Sequence, residues 1–301
     1  MGRVAVTGSS GLIGSAVVAA LRERGDEVVS LVRRAPRSGD EVQWDPSTRR
    51  LDPAALDGVD GVVHLAGAGV GDKRWSPSYK REILASRTDG THAVASAVAA
   101  ADHPVRLVSG SAVGYYGDRG DEELTETSAP GSGFLTDVVL AWEAAAQPAV
   151  DAGASVALAR TGIVLSRRGG AMDRLLTLAR LGLAGPLGSG RQFWPWITLP
   201  DEVGAILHLL DRPDVTGPVN LAAPHPARQR EIVAAIGRAL HRPAVLPAPS
   251  FALRIVLGEF AGEILGGQRI VGDALKASGY TCVHDDLDAA AHWLVDVRTP
   301  V

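Results

Sequence analysis

Cysteine is almost missing from this chain of 301 residues, and its scarcity excludes two kinds of protein. A single cysteine, Cys282, cannot form an internal disulfide framework and supplies no pair at the spacing of a zinc site. The eight histidines are scattered, with no pair at metal-ligand spacing. We therefore expect no metal site, and we expect Cys282 to be a lone buried or half-buried thiol.

Long apolar runs and a strong excess of one charge are also missing. No stretch of 18 uninterrupted apolar residues is present, so nothing in the sequence predicts a membrane span. The net charge of -4 gives no basic field for nucleic acid or an anionic membrane. The first residues lack the charged and apolar regions of a signal peptide. These absences predict a cytoplasmic protein with neither nucleic acid nor membrane as a partner.

What the first 160 residues do contain is an alternation of short apolar runs and helix-period segments. The runs are rich in Val, Leu and Ala without polar alternation, as in parallel strands that are covered on both faces. The predicted strands are residues 4–7, 27–32, 61–65, 105–109 and 155–160, and the predicted helices are residues 12–24, 77–101 and 134–152. This pattern predicts the α/β class, as a Rossmann-type doubly wound parallel sheet with a smaller C-terminal substrate lobe.

The composition changes after Arg160, where glycine and proline become dense. We predict an NADP-binding Rossmann domain at 1–165, with returning segments from 200–240. Substrate-lobe segments follow at 166–245, and a C-terminal helical tail domain follows at 246–301. Within these regions we expect a helix near 201–211, a strand near 218–222, a helix near 228–240 and an extended piece around 280–283.

A glycine loop joins the first predicted strand to the first predicted helix. Gly8 permits a tight turn, Gly11 lets a pyrophosphate approach the backbone, and Gly14 lets the helix pack close to the strand. Leu12 and Ile13 open the helix, whose free N–H groups and partial positive charge favour phosphate. A flexible surface turn is the alternative, but the flanking strand and helix favour a dinucleotide site.

The end of the second strand indicates which dinucleotide is bound. NAD-binding units carry an acidic residue there for the ribose 2′-hydroxyl, whereas this strand ends in Arg33 and Arg34. A guanidinium at that place can bind a 2′-phosphate and stack on adenine. The alternative is a solvated basic pair, and we favour NADP(H) as the cofactor.

Several motifs together resemble the extended short-chain dehydrogenase/reductases, in the nucleotide-sugar epimerase/dehydratase branch. Three of them belong to the branch as a whole: Thr-Gly-Ser-Ser-Gly-Leu-Ile-Gly (7–14), His-Leu-Ala-Gly (64–67) and Ser-Ala-Val-Gly-Tyr-Tyr-Gly (111–117). Others narrow it: Arg-Trp (74–75) with Lys80, Ser-Arg (86–87), Trp-Glu (142–143), Arg-Thr-Gly-Ile-Val-Leu (160–165), Gly-Pro-Leu-Gly-Ser-Gly-Arg-Gln-Phe (185–193) and Leu-Pro-Ala-Pro (246–249). Two more follow in the tail: Leu-Gly-Glu (257–259) and Gly-Gln-Arg (267–269). The combination is similar to a group of epimerase family proteins that carry an extra C-terminal domain of unknown function.

The resemblance implies a set of cofactor contacts beyond the glycine loop. It places the segment Leu65, Ala66 and Gly67 along the cofactor at the end of a sheet strand. It also implies that Arg33, Glu82, Arg87 and Arg160 reach the cofactor. A structural salt bridge is the alternative for each of these charged residues. The resemblance is compatible with a homodimer.

The usual catalytic pair of such enzymes, Tyr-x-x-x-Lys, is not found in the sequence. The predicted helix at 134–152 contains neither tyrosine nor lysine, and counting back from Glu143 places Leu135 and Val139 at their positions. The substitutes we consider are Ser111, Tyr115 and Tyr116, with Asp118 and Glu122 as further candidates on the same loop. A nearby cation such as Lys80 or Arg87 would be needed to depress a tyrosine pKa.

Two other features receive structural interpretations. We expect His64 to be a buried, hydrogen-bonded side chain rather than a catalytic one. Trp75, Trp194 and Trp196 are predicted either to pack in the core or to line a hydrophobic pocket.

Three functions remain open, in descending order of preference. The first is an NADP(H)-dependent oxidoreductase acting on an unidentified small molecule. The second is a non-catalytic NADP(H)-binding sensor or regulator, favoured by the missing pair. The third is a nucleotide-sugar epimerase, which would also need a proton shuttle. The segment 196–201 departs from the Trp-Ile-His-x-Asp-Asp pattern that is common in this group, because Thr198 and Pro200 replace a histidine and an aspartate. This departure weakens the comparison with sugar-nucleotide enzymes.

Overall fold

A sheet of seven parallel strands organises the computed structural model, which describes residues 2–167, 169–170 and 172–296. The strands are β1 (Arg3–Thr7), β2 (Glu27–Val32), β3 (Glu41–Gln43), β4 (Gly61–His64), β5 (Arg106–Ala112), β6 (Glu123–Leu124), β7 (Val156–Thr161), β8 (Ile163–Leu165), β9 (Phe193–Trp194), β10 (Trp196–Thr198), β11 (Gly217–Leu221), β12 (Ala227–Arg228) and β13 (Arg269–Ile270). The helices are α1 (Leu12–Arg24), α2 (Pro77–Ala99), α3 (Phe134–Ala144), α4 (Gln147–Asp151), α5 (Met172–Arg180), α6 (Leu199–Asp211), α7 (Gln229–Ala239), α8 (Ser250–Leu257), α9 (Ala261–Leu265), α10 (Asp273–Ala277) and α11 (Leu287–Val295).

The strand order of the central sheet is β11-β7-β5-β4-β1-β2-β3, with every pair parallel. The order reverses between β1 and β4, because the chain builds outward from β1 in one direction and then from β4 in the other. Such a reversal leaves a crevice at the carboxyl ends of the two strands, where α/β proteins bind their ligands. The predicted α/β doubly wound class is thereby confirmed.

Both faces of the sheet are covered, which explains the apolar composition of its strands. On one face, Val4 and Val6 of β1 pack with Val17 and Leu21 of α1 and with residues of α6. On the other face, Ala5 lies in a second cluster to which α2 contributes a run of small and branched residues. Successive side chains along a strand therefore point into two different apolar cores, rather than alternately into a core and into solvent.

Most of the predicted elements of the first half are present, and the differences have local causes. The predicted helix at 134–152 is two helices, α3 and α4, and Pro148 lies in the first turn of the second. Proline lacks the N–H that a continuous helix would need there. The three-residue edge strand β3 was not predicted, since its apolar content is a single valine.

The predicted extended piece around 280–283 is not a strand in the structure. It is fixed instead by the buried Asp201, whose carboxylate accepts hydrogen bonds from the backbone N–H groups of Val283 (2.6 Å) and His284 (3.1 Å). Thr198 donates to the same carboxylate at 2.6 Å. The first turn of α6 thus anchors the C-terminal region to the sheet.

The C-terminal region also reaches the loop that follows β5. The short strand β13 pairs in parallel with β6, which places residues of the tail beside the segment between β5 and α3. Among the helices that the structure describes, none is long and apolar enough to span a membrane.

Candidate dinucleotide and substrate site

The loop after β1 approaches neighbouring backbone too closely for any side chain at two of its glycines. Gly8 has a φ of +68°, and a Cβ there would lie 2.9 Å from the carbonyl carbon and oxygen of Leu65. A Cβ on Gly14 would lie 2.1 Å from the carbonyl oxygen of Gly8. The turn and the close helix–strand contact therefore both require glycine.

The N-terminus of α1 presents backbone donors at this loop. Gly11 is the N-cap residue, and no side chain of the described part of the protein caps the helix. Its first turn contains no acidic residue. The amides of Leu12 and Ile13 have no intrahelical acceptor by their position in the helix, so they can bind an anion with the helix dipole behind them.

A buried hydrogen-bond chain fixes the neighbouring carboxyl end of β4. The backbone N–H groups of Leu65 (3.0 Å) and Ala66 (3.2 Å) donate to the hydroxyl of Thr7. Thr7 must then donate its own proton to Nδ1 of His64 at 2.8 Å, so that Nε2 of His64 donates to Thr91 at 3.0 Å. Burial lowers the pKa of His64 to about 4, which keeps the ring neutral.

His64 is therefore a structural residue, as expected from the sequence. Its hydrogen bonds hold the turn of Leu65 and Ala66 next to Gly8. The structure thus brings together the glycine loop and the predicted cofactor segment at 65–67.

The two arginines after β2 have different roles. Arg34 donates to both carboxylate oxygens of Glu41 on β3, at 2.5 and 2.7 Å, and this pairing lowers the pKa of Glu41 to about 2. Its terminal nitrogens thus join β3 to the end of β2, and its predicted cofactor contact stays a prediction. Arg33 is exposed, and within the described residues its guanidinium has neither hydrogen bond nor ion pair. It is the arginine left available for a 2′-phosphate.

Arg87 places a second cation at the same edge. Its guanidinium donates to the carbonyls of Ala68 (2.9 Å) and Ile83 (3.2 Å) and lies 5.0 Å from the ring centre of Trp142. Burial lowers the pKa of Arg87 to about 10, so the group is still charged at neutral pH. No carboxylate in the described part of the chain pairs with it. A Cβ on Gly67 would lie 3.4 Å from the guanidinium carbon, so glycine leaves this cation accessible.

Glu82 does not join these groups. It is exposed and pairs with Lys73 at 3.6 Å. Five residues separate it from Arg87 on α2, which places the two on different sides of the helix. Its contact with a cofactor stays a prediction.

Apolar side chains occupy the positions where a catalytic tyrosine and lysine are expected. A Cβ built on Gly114, in the loop after β5, would lie 3.4 Å from Cβ of Leu135 and 3.9 Å from a methyl group of Val139. The helix Phe134–Ala144 contains no tyrosine and no lysine. The face of α3 that meets the loop after β5 therefore has no proton donor of the usual kind.

Ser111 belongs to a buried network behind that loop. Its hydroxyl donates to Oε1 of Glu143 at 2.6 Å, and Arg160 donates to both oxygens of the same carboxylate at 2.8 Å. Arg160 also donates to the hydroxyl of Tyr116 at 2.9 Å, and Tyr116 donates to Asn220 at 2.8 Å. Every one of these donors is used inside the protein.

The network gives a structural role to three residues for which the sequence suggested catalysis or cofactor binding, and those suggested roles stay predictions. Tyr116 is fully buried, burial raises its pKa, and its hydroxyl proton is donated to Asn220. Ser111 is only 4% exposed, and its proton is bound to Glu143. Arg160 is the structural salt bridge that we considered as its alternative. Burial alone would lower its pKa, but the hydrogen bonds and charge of Glu143 outweigh that effect and raise it.

Tyr115 is the candidate proton donor that the network leaves free. Its ring lies against the guanidinium of Arg160, with 3.5 Å between the guanidinium carbon and the ring centre. The side chain is partly exposed, and its hydroxyl has no hydrogen-bond partner among the residues that the structure describes. The other candidates of this loop are used elsewhere: Asp118 accepts the N–H of Gly267 at 3.1 Å, and Glu122 pairs with Arg119.

Lys80 and the tryptophans also have partners. Lys80 forms an ion pair with Glu259 of the tail, so it does not serve the tyrosines. Trp194 and Trp196 are buried in the third apolar cluster, as the core interpretation predicted. Trp75 is partly buried and contacts Phe134 and Phe260.

One buried acidic residue was not predicted from the sequence. Glu202, in the first turn of α6, is fully buried and accepts a hydrogen bond from Thr161 at 2.7 Å. Burial raises the pKa of Glu202 to about 8, and its second oxygen has no partner among the described residues. The burial of Glu202 could have been predicted from its spacing. It lies three residues after Leu199 and four before Ile206, on the apolar side of the helix.

Two family models match the chain. The first, described as the NAD dependent epimerase/dehydratase family, matches residues 4–222. The second, a domain of unknown function (DUF1731), matches residues 248–294. The first covers the sheet and the whole edge described above, and the second covers the tail that pairs with Lys80.

Relatives with known names extend over nearly the full chain. The epimerase family protein Mb2239 of Mycobacterium bovis is 44% identical, covering 95% of this chain and 95% of the relative. The human epimerase family protein SDR39U1 is 37% identical, covering 97% of this chain and 99% of the relative.

Two solved structures are similar over 97% of this chain. Human SDR39U1 (isoform 2), crystallised with NADPH, has a TM-score of 0.90 at 35% identity, and 98% of it is covered. A nucleoside-diphosphate sugar epimerase of Corynebacterium glutamicum has a TM-score of 0.80 at 36% identity, with 58% of that longer chain covered.

Proposed function

Because the chain belongs to the NAD-dependent epimerase/dehydratase family, we propose that it binds NADP(H) and acts as an oxidoreductase of the extended short-chain type on a small organic molecule. The observation that carries this proposal is a row of hydrogen-bond donors along the carboxyl edge of β1, β2 and β4, none of which is paired with a carboxylate among the described residues. It comprises the amides at the start of α1, the guanidinium of Arg33 and the guanidinium of Arg87.

The residues at this edge fit a phosphorylated dinucleotide. The space that a Cβ on Gly8 or Gly14 would fill lets backbone approach backbone, and the amides of Leu12 and Ile13 then face a pyrophosphate. Arg33 would bind the 2′-phosphate, since no acidic residue stands at the end of β2 to prefer a hydroxyl. The NADPH that is bound in the crystal of human SDR39U1 supports this choice.

The chemistry requires a hydride and a proton from different sources. Bound NADPH would supply the hydride, and the protein must supply the proton that the substrate oxygen takes up. Tyr115 is our candidate for this donor, because its phenol is partly exposed beside the charged Arg160 and has no partner in the described part of the structure. Leu135 and Val139 make the neighbouring wall apolar, which favours a substrate with an apolar body.

A turnover screen tests this function. The protein is incubated with NADPH and a panel of carbonyl and enone compounds, and with NADP⁺ and a panel of alcohols, while absorbance at the nicotinamide band is followed. We expect turnover with at least one member and a loss of about 100-fold in kcat for Tyr115→Phe. Intact NADPH binding without turnover of any compound would contradict the oxidoreductase.

A specific observation favours a second candidate, an NADP(H)-binding sensor. Ser111 and Tyr116 use their protons inside the protein, and α3 carries no tyrosine or lysine. For a sensor we expect a partner protein to bind the NADPH-loaded and NADP⁺-loaded forms with different affinity. Turnover in the screen would exclude this alternative. A nucleotide-sugar epimerase ranks third, since it needs the same proton donor on the sugar hydroxyl.

A further inference from the structure

The segment that follows β4 carries a local excess of positive charge. Residues 73–87 include five basic side chains and one acidic one, Glu82, in a chain whose net charge is -4. Trp75 and Lys80 of this segment contact Phe134 at the start of α3, so the segment lies against the helix that follows the Tyr115 loop.

Lys80 is the member of this segment that is framed by aromatic rings. Its ammonium lies 5.5 Å from the ring centre of Trp75 and 5.0 Å from that of Phe134. Its side chain is 29% exposed. An ammonium held between rings is positioned to meet an anion that carries an apolar body.

A carboxylate from the tail now occupies this position. Glu259 forms the ion pair with Lys80, and the next residue, Phe260, packs on Trp75 with 5.5 Å between ring centres. Arg74 donates to the carbonyl of Ile255 at 3.1 Å, so the tail lies across the segment. The Glu259 side chain is 66% exposed, and an exposed ion pair of this kind contributes little stability.

Lys80 lies on the same helix as Arg87, which belongs to the cofactor edge. Lys80 and Arg87 are seven residues apart on α2, which places them on one side of the helix about 10 Å apart. Phe134 immediately precedes Leu135, which lies beside Gly114 in the loop of Tyr115. A molecule that binds at Lys80 and extends along this side of α2 would thus reach toward Arg87 at the cofactor edge.

We propose that Lys80, with Trp75 and Phe134 around it, binds the carboxylate or phosphate of an anionic substrate with an apolar body, and that Glu259 holds this place until the substrate displaces it. This site rests on the proposed function and deepens it, since it names the class of molecule that the protein would act on. It also gives the tail domain a direct part in substrate selection.

Binding of small anionic probes to the full chain without cofactor tests the site. We choose phenyl phosphate and benzoate, with benzyl alcohol as the neutral analogue, followed by tryptophan fluorescence because Trp75 lies beside Lys80. The wild-type protein should bind one or both anions saturably and the alcohol much more weakly. Comparison of the two affinities shows whether the site prefers a phosphate or a carboxylate.

Three variants make the result specific. Lys80→Gln should weaken anion binding about 10-fold, whereas Lys80→Arg should retain most of it because the charge remains. Glu259→Gln should tighten binding about threefold to tenfold, because it removes the competing carboxylate. Lys73→Gln is the matched control: it removes another exposed, paired lysine of the same segment and should change nothing.

Equal anion affinity in Lys80→Gln and wild type would overturn the proposal, as would a Glu259→Gln variant that binds no tighter. Calorimetric NADPH binding in the same variants separates this result from the proposed function. Loss of anion binding in Lys80→Gln with NADPH binding intact supports the site. Absence of NADPH binding in every form, with anion binding still dependent on Lys80, would reject the cofactor and leave the anion site standing.

Discussion

The cofactor edge and the interior behind β5 use their hydrogen-bond donors in opposite ways. At the edge, the amides of Leu12 and Ile13 at the start of α1 have no intrahelical acceptor, and the guanidinium of Arg33 has no partner within the described residues. Behind β5, Ser111 donates to Glu143, Tyr116 donates to Asn220, and Arg160 donates to Glu143 and to Tyr116. Since unpaired donors are kept only where a ligand or water can reach them, the first region is built to bind and the second to hold the fold.

The same Rossmann fold thus has one region whose donors are open to a ligand and another whose donors are used within the protein. Ser111 and Tyr116 of the segment after β5 are hydrogen-bonded within a salt-bridged network, and the apolar side chains of Leu135 and Val139 lie beside Gly114 in the same segment. Tyr115 lies between these two uses, because its ring contacts Arg160 of the network while its hydroxyl has no partner among the described residues. Four substitutions test the comparison, from the largest expected effect to the smallest.

Arg160→Met should cause the largest loss. It removes both hydrogen bonds to the buried Glu143 and the one to Tyr116, which leaves a carboxylate uncompensated. We expect the free energy of unfolding to fall by about 4–5 kcal/mol in urea denaturation. The matched control is Arg238→Met, which breaks the exposed pair with Asp288 and should cost less than about 1 kcal/mol. Similar losses in the two variants would show that the network is not structural.

Glu202→Gln should change the pH dependence of stability. The folded-state pKa of Glu202 is raised from 4.5 to about 8, so the folded protein keeps a proton that the unfolded chain releases between these values. The free energy of unfolding therefore falls as pH rises through that window, by about 4 kcal/mol for this group, and the variant should lose this fall.

Urea denaturation of wild type and Glu202→Gln at pH 5 and pH 8.5 measures the effect. His64 titrates oppositely, because its lowered pKa gives stability that is lost as pH falls from 6.5 to about 4, but both proteins share it. A difference between the two proteins that is the same at both pH values would contradict the buried, protonated Glu202.

Gly14→Ala should weaken NADPH binding about 100-fold, because its Cβ would lie 2.1 Å from the carbonyl oxygen of Gly8 and push the loop away from the phosphates. Isothermal titration calorimetry gives the affinity, and thermal unfolding checks the fold. Gly262→Ala, where a Cβ meets nothing within 4 Å, should leave both unchanged. Unchanged affinity in Gly14→Ala would place the dinucleotide elsewhere.

Arg33→Ala should have the smallest effect, confined to the phosphorylated cofactor. We expect NADPH affinity to fall about 10-fold while NADH affinity stays constant, since one charge-assisted contact to the 2′-phosphate is lost. Arg34→Ala is the control, because Arg34 is bound to Glu41 and should not change the ratio of the two affinities. An equal loss for both dinucleotides in Arg33→Ala would remove its assigned role.

Local sequence signals were enough to predict the frame and the glycine loop. Helix Leu12–Arg24 and strand Glu27–Val32 have the predicted bounds because glycine and an apolar period mark them without help from distant residues. The positions of Gly8 and Gly14 followed from the same signals. The edge strand Glu41–Gln43 contains a single apolar residue, so its sequence gives no such signal.

The use of each polar side chain could not be predicted in the same way. Ser111 and Glu143 are 32 residues apart, and Tyr116 and Asn220 are 104 apart, so only the folded sheet brings them together. Arg33 and Arg34 are adjacent and chemically equal in the sequence. Their roles differ because β3 delivers Glu41 to one of them alone.

Calorimetric titration of the unmodified protein with NADPH and then with NADH tests the central claim most directly. Because the amides of residues 12–13 are open and Arg33 is free to bind the 2′-phosphate, we expect saturable heat with NADPH. The affinity for NADH should be at least about 10-fold weaker. No heat with either dinucleotide, or equal affinities for the two, would contradict the assignment of this edge as an NADP(H) site.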